Sequence, residues 1–153
     1  MKVEFINPFL ESIVNVLETM ANVKATPGKP QRKDEDVAQG DVTGVIGMAS
    51  EKVKGSLAIT FTSAAIFDIA RRMLGEEVAE INNTVTDLVG EITNMVTGGA
   101  KRVLAEQGYD FDMAIPAVIA GKNHRISHKS NGMKIIVPFS IIAGKFYVEV
   151  CFE

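Results

Sequence analysis

Two pairs of short β-rich runs most constrain how this chain can fold. Residues 41–49 and 55–62 are dense in Val, Ile, Thr and Phe, with Ser50, Glu51 and Lys52 between them. That pattern predicts a β-hairpin. Residues 133–142 and 145–152 form a last pair of strands around Ala143-Gly144, and 111–120, FDMAIPAVIA, reads as a further strand. Grouped strands with helical segments between them predict an α+β fold, an antiparallel sheet with helices packed on one face. Pro116 and Pro138 lie inside predicted strands and predict edge positions or bulges. No sequence repeat is visible, although the two halves share a helix-then-strands plan.

Three helices complete the plan. Asn7-Pro8 predicts the start of the first, a capping residue followed by proline at the first helical position. Phe9, Leu10, Ile13, Val14, Val16, Leu17 and Met20 follow at helical spacing, and the pattern fades near Val23. The charged stretch 26–36, TPGKPQRKDED, is too rich in proline and glycine to continue it. Ser63 is the predicted cap of a short amphipathic helix that ends at Gly75. Thr84 is the predicted cap of a long helix running to about Gln107, with Gly108 as its stop.

At 153 residues the chain suits one domain, 1–153, with a single core. A net charge of −3 argues against a nucleic-acid surface, which would show a basic excess. Cys151 is the single cysteine, so no internal disulfide forms and a reducing cytoplasm is expected. The stretch MKVEFINPFLES lacks the long apolar run of a signal peptide. No segment approaches the roughly 18 uninterrupted apolar residues of a membrane span. A soluble, cytoplasmic protein is expected.

The long helix carries an unusual face. At about 100° per residue, Asp87, Glu91, Asn94, Gly98 and Lys101 fall within a stripe about 80° wide. Val85, Leu88, Val89, Ile92, Met95, Val96 and Val103 take the other side. A solvated face is the plain interpretation, yet such a face is normally filled with good helix formers. Here Thr93, Asn94, Thr97, Gly98 and Gly99 are poor ones, and each interior glycine costs about 1 kcal/mol relative to alanine. Close packing on the sheet accounts for Gly99; a bare backbone at Gly98 would let a partner approach. Glu91 and Asn94, three residues apart, lie side by side. An amide has no useful pKa, but it can accept from and donate to a water. That equipment suits a reaction needing positioning more than activation, such as hydrolysis of an aspartyl phosphate.

Asp87-x3-Glu91-x2-Asn94, followed after 21 intervening residues by Pro116, resembles the signature of the CheC/CheX/FliY phosphatases of bacterial chemotaxis. The likeness extends over nearly the whole chain, from the opening helix to PAVIAGKNH. It implies a CheC/CheX-like fold and hydrolysis of the aspartyl phosphate of a CheY-like receiver domain. By the same likeness Asn94 would orient the attacking water, and Glu91 would dock near a receiver lysine. Asp87, Gly98 and Pro116 would serve the motif or the partner contact. The chain would need no cofactor of its own, the Mg2+ belonging to the receiver, and it would form a homodimer through sheet edges. CheC carries two motif copies. In the first helix here Glu11 and Asn15 stand four apart rather than three, so one copy is expected, which points to the CheX type. The alternative is a non-catalytic receiver-binding or flagellar-switch module of the same fold.

Other candidates are weaker. His124 and His128 lie in GKNHRISHKSNG, which has glycine at both ends and no helical pattern. A basic connection is expected rather than a metal site, with Lys122, Arg125 and Lys129 available to an acidic partner. Asp110 and Asp112 read as solvated, Cys151 as a buried or edge thiol, and Met20, Met73 and Met95 as core.

Overall fold

The computed structural model describes residues 3–128 and 131–153. In chain order the elements are α1 (Val3–Ala21), β1 (Thr26–Pro27), β2 (Gln31–Lys33), β3 (Val42–Ala49), β4 (Lys54–Phe61), α2 (Ser63–Leu74), α3 (Asn83–Glu106), β5 (Asp112–Met113), β6 (Ala117–Ala120), β7 (Met133–Ile141) and β8 (Gly144–Phe152). The strands form one antiparallel sheet in the order β1-β7-β8-β4-β3-β5, with β2 also beside β7 and β6 also beside β3. The fold is α+β, with the helices on one face. Val42, Ile46, Leu57, Ile59, Val148 and Val150 share a buried cluster with residues of all three helices.

The sheet has an internal two-fold. β4 and β8 pair at its centre, Gly55 opposite Phe152 and Phe61 opposite Phe146. Each belongs to a long hairpin, and each hairpin is bordered by a strand broken in two: β1 and β2 beside β7, β5 and β6 beside β3. A step of 91 residues carries 42–49 onto 133–140 and 54–61 onto 145–152. Proline stands at both breaks, Pro30 just before β2 and Pro116 just before β6. Pro138 is not on an edge strand. It sits in β7 where the neighbouring strand is interrupted between Pro27 and Gln31, so its missing N–H faces a gap. Its carbonyl, on the same side, accepts from Gly28 N at 2.6 Å. Residues 26–27 and 31–33, expected as loop, are strand because β7 offers them an edge. The single strand expected over 111–120 is split at 114–116.

α1 and α3 cross at Ser12 and Gly99. Ser12 Oγ donates to Val96 O at 2.8 Å, and it fills the space that a Cβ on Gly99 would need. The close approach at Gly99 is therefore to α1, not to the sheet. α1 begins earlier than Asn7-Pro8 suggested: it is helical at Val3, and Pro8 lies inside it. Proline there forfeits the bond its N–H would make to the Glu4 carbonyl. The added turn buries Phe5, whose ring lies 4.8 Å from Tyr109 and 5.1 Å from Phe152. Burial of such a side chain is worth about 1.5–3 kcal/mol and offsets the loss. The caps also shift. Thr62 Oγ1 accepts from Ala65 N and Asn82 Oδ1 from Val85 N, while Ser63 Oγ instead donates to Asp41. Met20 is 49% exposed rather than core.

The back of the sheet is covered too. Ala38 N donates to His124 O and Ile126 N to Asp36 O, and Ala38 and Ile126 pack on Val45 and Ala58. Beneath this cover Glu149 is buried on the central strand, with Lys33 Nζ at 2.8 Å and His128 Nε2 at 3.2 Å. A carboxylate only accepts, so His128 carries its proton on Nε2, and Nδ1 meets Ser56 Oγ at 2.5 Å. His124 Nε2 reaches Thr43 Oγ1 at 2.6 Å. The two histidines therefore pin the 121–128 connection to the sheet. Cys151 is buried in β8.

Glu149→Ala is expected to cost about 3–5 kcal/mol in urea denaturation, because it leaves Lys33 buried without its counter-charge. Burial raises the Glu149 pKa, but hydrogen bonds from His128 and Lys33 and the lysine charge bring it below its ordinary 4.5. With the folded pKa lowered, the stabilisation is complete above the unfolded value and is lost as pH falls through the folded one. The stability gap between wild type and Glu149→Ala should therefore narrow below about pH 4.5.

Candidate active site

α3 is held on the sheet by its apolar side, and this sets what its other side presents. Val85, Leu88, Val89, Ile92, Val96, Ala100 and Leu104 are buried. Thr93 and Thr97, expected on the polar side, are buried with them. Each hydroxyl donates to the carbonyl four residues back, so neither is left unpaired in the core. Asp87, Glu91, Asn94 and Gly98 remain as an exposed line, with Lys101 half-buried at its end.

Glu91 and Asn94 are exposed, three residues apart on a rigid helix, and neither side chain bonds to another described residue. The amide keeps its donors and acceptor for something outside the chain. A Cβ built on Gly98 would meet nothing within 4 Å, so the backbone one turn beyond Asn94 is open. A shallow hollow lies alongside, bounded by Thr84, Asp87, Leu88 and Glu91 of α3 and by Leu74 and Glu76 from the end of α2. Its charged groups are all acidic. Leu74, 45% exposed, supplies an apolar lip. The left-handed Gly75 that follows ends α2 there and leaves the side chain at the rim. Pro116 is half-buried just before β6, and β6 itself lies against α3: a Cβ on Gly90 would stand 3.6 Å from Val118 Cγ2. Among the described residues no group of three or more His, Cys, Asp or Glu is placed to hold a metal ion.

Glu11 and Asn15 are exposed on α1, where they line a groove with Leu10, Val14, Pro27 and Phe139. They are not the counterparts of Glu91 and Asn94. The helices cross at Ser12 and Gly99, so Glu11 takes the place of Gly98, and Asn15 that of Arg102. Lys122 and Arg125 are exposed, and Lys129 lies outside the described residues.

The geometry can be set beside known proteins. Residues 42–140, which include the motif helix and Pro116, match the family described as "Chemotaxis phosphatase CheX". The chain belongs to the CheX family. Its structure is similar to a CheC-like superfamily protein from Shewanella sp. PV-4, with TM-score 0.94 and 59% identity, covering 100% of this chain and 99% of that one. It is also similar to the CheX-CheY-BeF3-Mg2+ complex from Borrelia burgdorferi, with TM-score 0.83 and 28% identity over 99% of each chain. A relative from Thermotoga maritima, named CheY-P phosphatase CheX, is 24% identical over 144 residues, 94% of this chain and 91% of that protein. The exposed Glu91–Asn94 line therefore lies within the part of the chain that carries the CheX match.

The two adjacent glycines give opposite expectations. Gly98→Ala, pointing into open space, should raise stability by up to about 1 kcal/mol through helix propensity. Gly99→Leu should lower it by about 1–3 kcal/mol by overpacking the crossing with α1. Urea denaturation of the two variants reads both signs.

Proposed function

We propose that this CheX-family chain, acting as one domain over residues 1–153, hydrolyses the aspartyl phosphate of a phosphorylated CheY-like receiver domain. The observation that carries the reading is the unpartnered Asn94 amide, held outward beside Glu91 on a helix rigidly seated on the sheet. The named activity of the Thermotoga maritima relative and the CheY bound in the Borrelia burgdorferi complex supply the partner.

The chemistry follows from the groups available. The bond to phosphorus forms from a water oxygen, and the phosphorus–oxygen bond to the aspartyl carboxyl breaks. The products are the free carboxylate and inorganic phosphate, with the water proton passing to the phosphate. An acyl phosphate is already a good electrophile, so the chain needs to supply position rather than a strong base. Asn94 can fix a water through its carbonyl oxygen and its NH2. Glu91 repels a phosphoryl group by itself, and becomes favourable when it meets a lysine of the receiver. A Mg2+ held by the receiver would supply charge neutralisation on the phosphoryl oxygens. Asp87 and Glu76 extend the acidic surface, and Leu74 offers the partner an apolar contact. Pairing with a second copy through a sheet edge completes the proposal; Ile115, 90% exposed at the break between β5 and β6, supports it.

Receiver phosphorylated by a small-molecule donor should lose its phosphate faster with substoichiometric protein. A module that only sequesters the receiver would slow the decay or leave it unchanged. Asn94→Ala should cut the catalysed rate by about 10²-fold or more while leaving circular dichroism and receiver binding intact. Glu91→Lys should weaken productive docking; full activity in that variant would remove the contact with a receiver lysine.

A further inference from the structure

We propose that the groove between α1 and the β1–β7 edge of the sheet is a docking site for a short basic amphipathic helix of a partner protein. The groove is separate from Glu91 and Asn94, and its assignment does not rest on theirs.

The cavity measures about 330 Å³, at the lower end of the range for ligand-binding pockets. Leu10 and Val14, one turn apart on α1, form its helix wall. Pro27 and Phe139, paired across β1 and β7, form its sheet wall. From Leu10 to Glu18 the groove follows α1 for about 12 Å, or two turns. Its rim is polar. Glu11, Asn15 and Glu18 are exposed, and none bonds to another described residue. Both charged residues of the lining are carboxylates.

The internal two-fold shows what fills such a seam when the chain fills it itself. The crossing at Ser12 and Gly99 relates the helices, and the hairpin step relates Phe139 to Met48. Pro27 faces Phe139 as Met113 faces Met48. Leu10 and Val14 then correspond to Thr97 and Lys101. Around α3, Met48 and Met113 pack into the core, Thr97 is buried, and Lys101 stands half-buried at the rim. Around α1, proline and valine hold the places of methionine and lysine, and the seam stays open. What it lacks is a long apolar side chain with a cation beside it.

A partner has to bring those groups. Leucine or methionine side chains one turn apart match the spacing of Leu10 and Val14, and flanking Lys or Arg meets Glu11 and Glu18. A helix suits the groove better than an added strand. β1 is two residues long, and one of them is Pro27, which has no N–H to offer.

Fluorescence anisotropy on the full chain tests this. The probe is a fluorescein-labelled synthetic helix with two leucines one turn apart between lysines; its control carries glutamates in place of the lysines. Saturable binding of the lysine helix alone is expected. Val14→Lys, which installs the residue found in the closed seam, should weaken it about tenfold or more. Glu11→Lys combined with Glu18→Lys should do the same, at exposed positions where folding is not at stake. Glu51→Lys, an exposed carboxylate between β3 and β4, should leave the affinity within about twofold. Equal losses in Glu51→Lys and the groove variants would reveal attraction to the net charge of the chain and overturn the site. Binding indifferent to Val14→Lys overturns it as well. Saturable uptake of an apolar dye, abolished by Val14→Lys, with no binding of the lysine helix, would make the groove a small-molecule site and overturn the peptide assignment.

Discussion

The crossing of α1 and α3 is the contact on which the presentation of the site depends. Gly99 lets the helices approach until Ser12 Oγ bonds to the carbonyl of Val96, a carbonyl already within the helical ladder of α3. That contact marks the closest approach of the two helices, and the apolar side of α3 seated on the sheet sets its roll. With the roll set, Thr93 and Thr97 must face the sheet, and their hydroxyls turn back onto α3 because no other acceptor is needed. Gly44 of β3 makes room directly beneath Thr93. Asp87, Glu91, Asn94 and Gly98 are then left outside. A rotation of one residue, about 100°, would bury the amide and expose a valine.

The phase of α3 was legible in the sequence because helical geometry needs no tertiary knowledge: apolar and polar positions sort themselves by angle. The long hairpins were legible for a similar reason, their β-branched density. What was lost lies where tertiary context overrides local preference. The stretch TPGKPQRK resembles a loop in every residue, and it becomes β1 and β2 only because β7 has an edge to fill. Asn7-Pro8 is a good start signal, but Phe5 has an aromatic pocket to enter, so the helix runs on before it. Glu149 sits in a strand whose alternation assigns it to the outer face. Nothing local shows that Lys33 and His128 arrive to cover it.

The two faces of the sheet hold their polar groups under different rules. On the back face, among the described residues, the buried polar groups are partnered: Lys33 and His128 on Glu149, and His124 on Thr43. Among the described residues no buried side-chain nitrogen or oxygen lacks a hydrogen bond. This is the pattern expected where unpaired polar groups would cost about 1–3 kcal/mol each. On the helix side the polar groups that matter are solvent-facing, and there leaving an amide unpaired costs almost nothing. The site residues can therefore be kept free for a partner without a stability penalty. The cost of the open site falls instead on the helix backbone, through Gly98.

The internal two-fold and the single α2 act against each other at this surface. The two-fold repeats the helix and the hairpin in each half, and each helix keeps an exposed line of its own. α2 packs against both helices, and its end places Leu74 and Glu76 beside the exposed line of α3. The other line has Tyr109 as its neighbour, donating to Glu4. Glycine at 98 and glutamate at 11 then widen the difference. Because the hairpins, the crossing and the proline breaks still obey the two-fold, these surface residues carry the asymmetry. A change as small as one side chain at position 11 therefore bears on the second line alone.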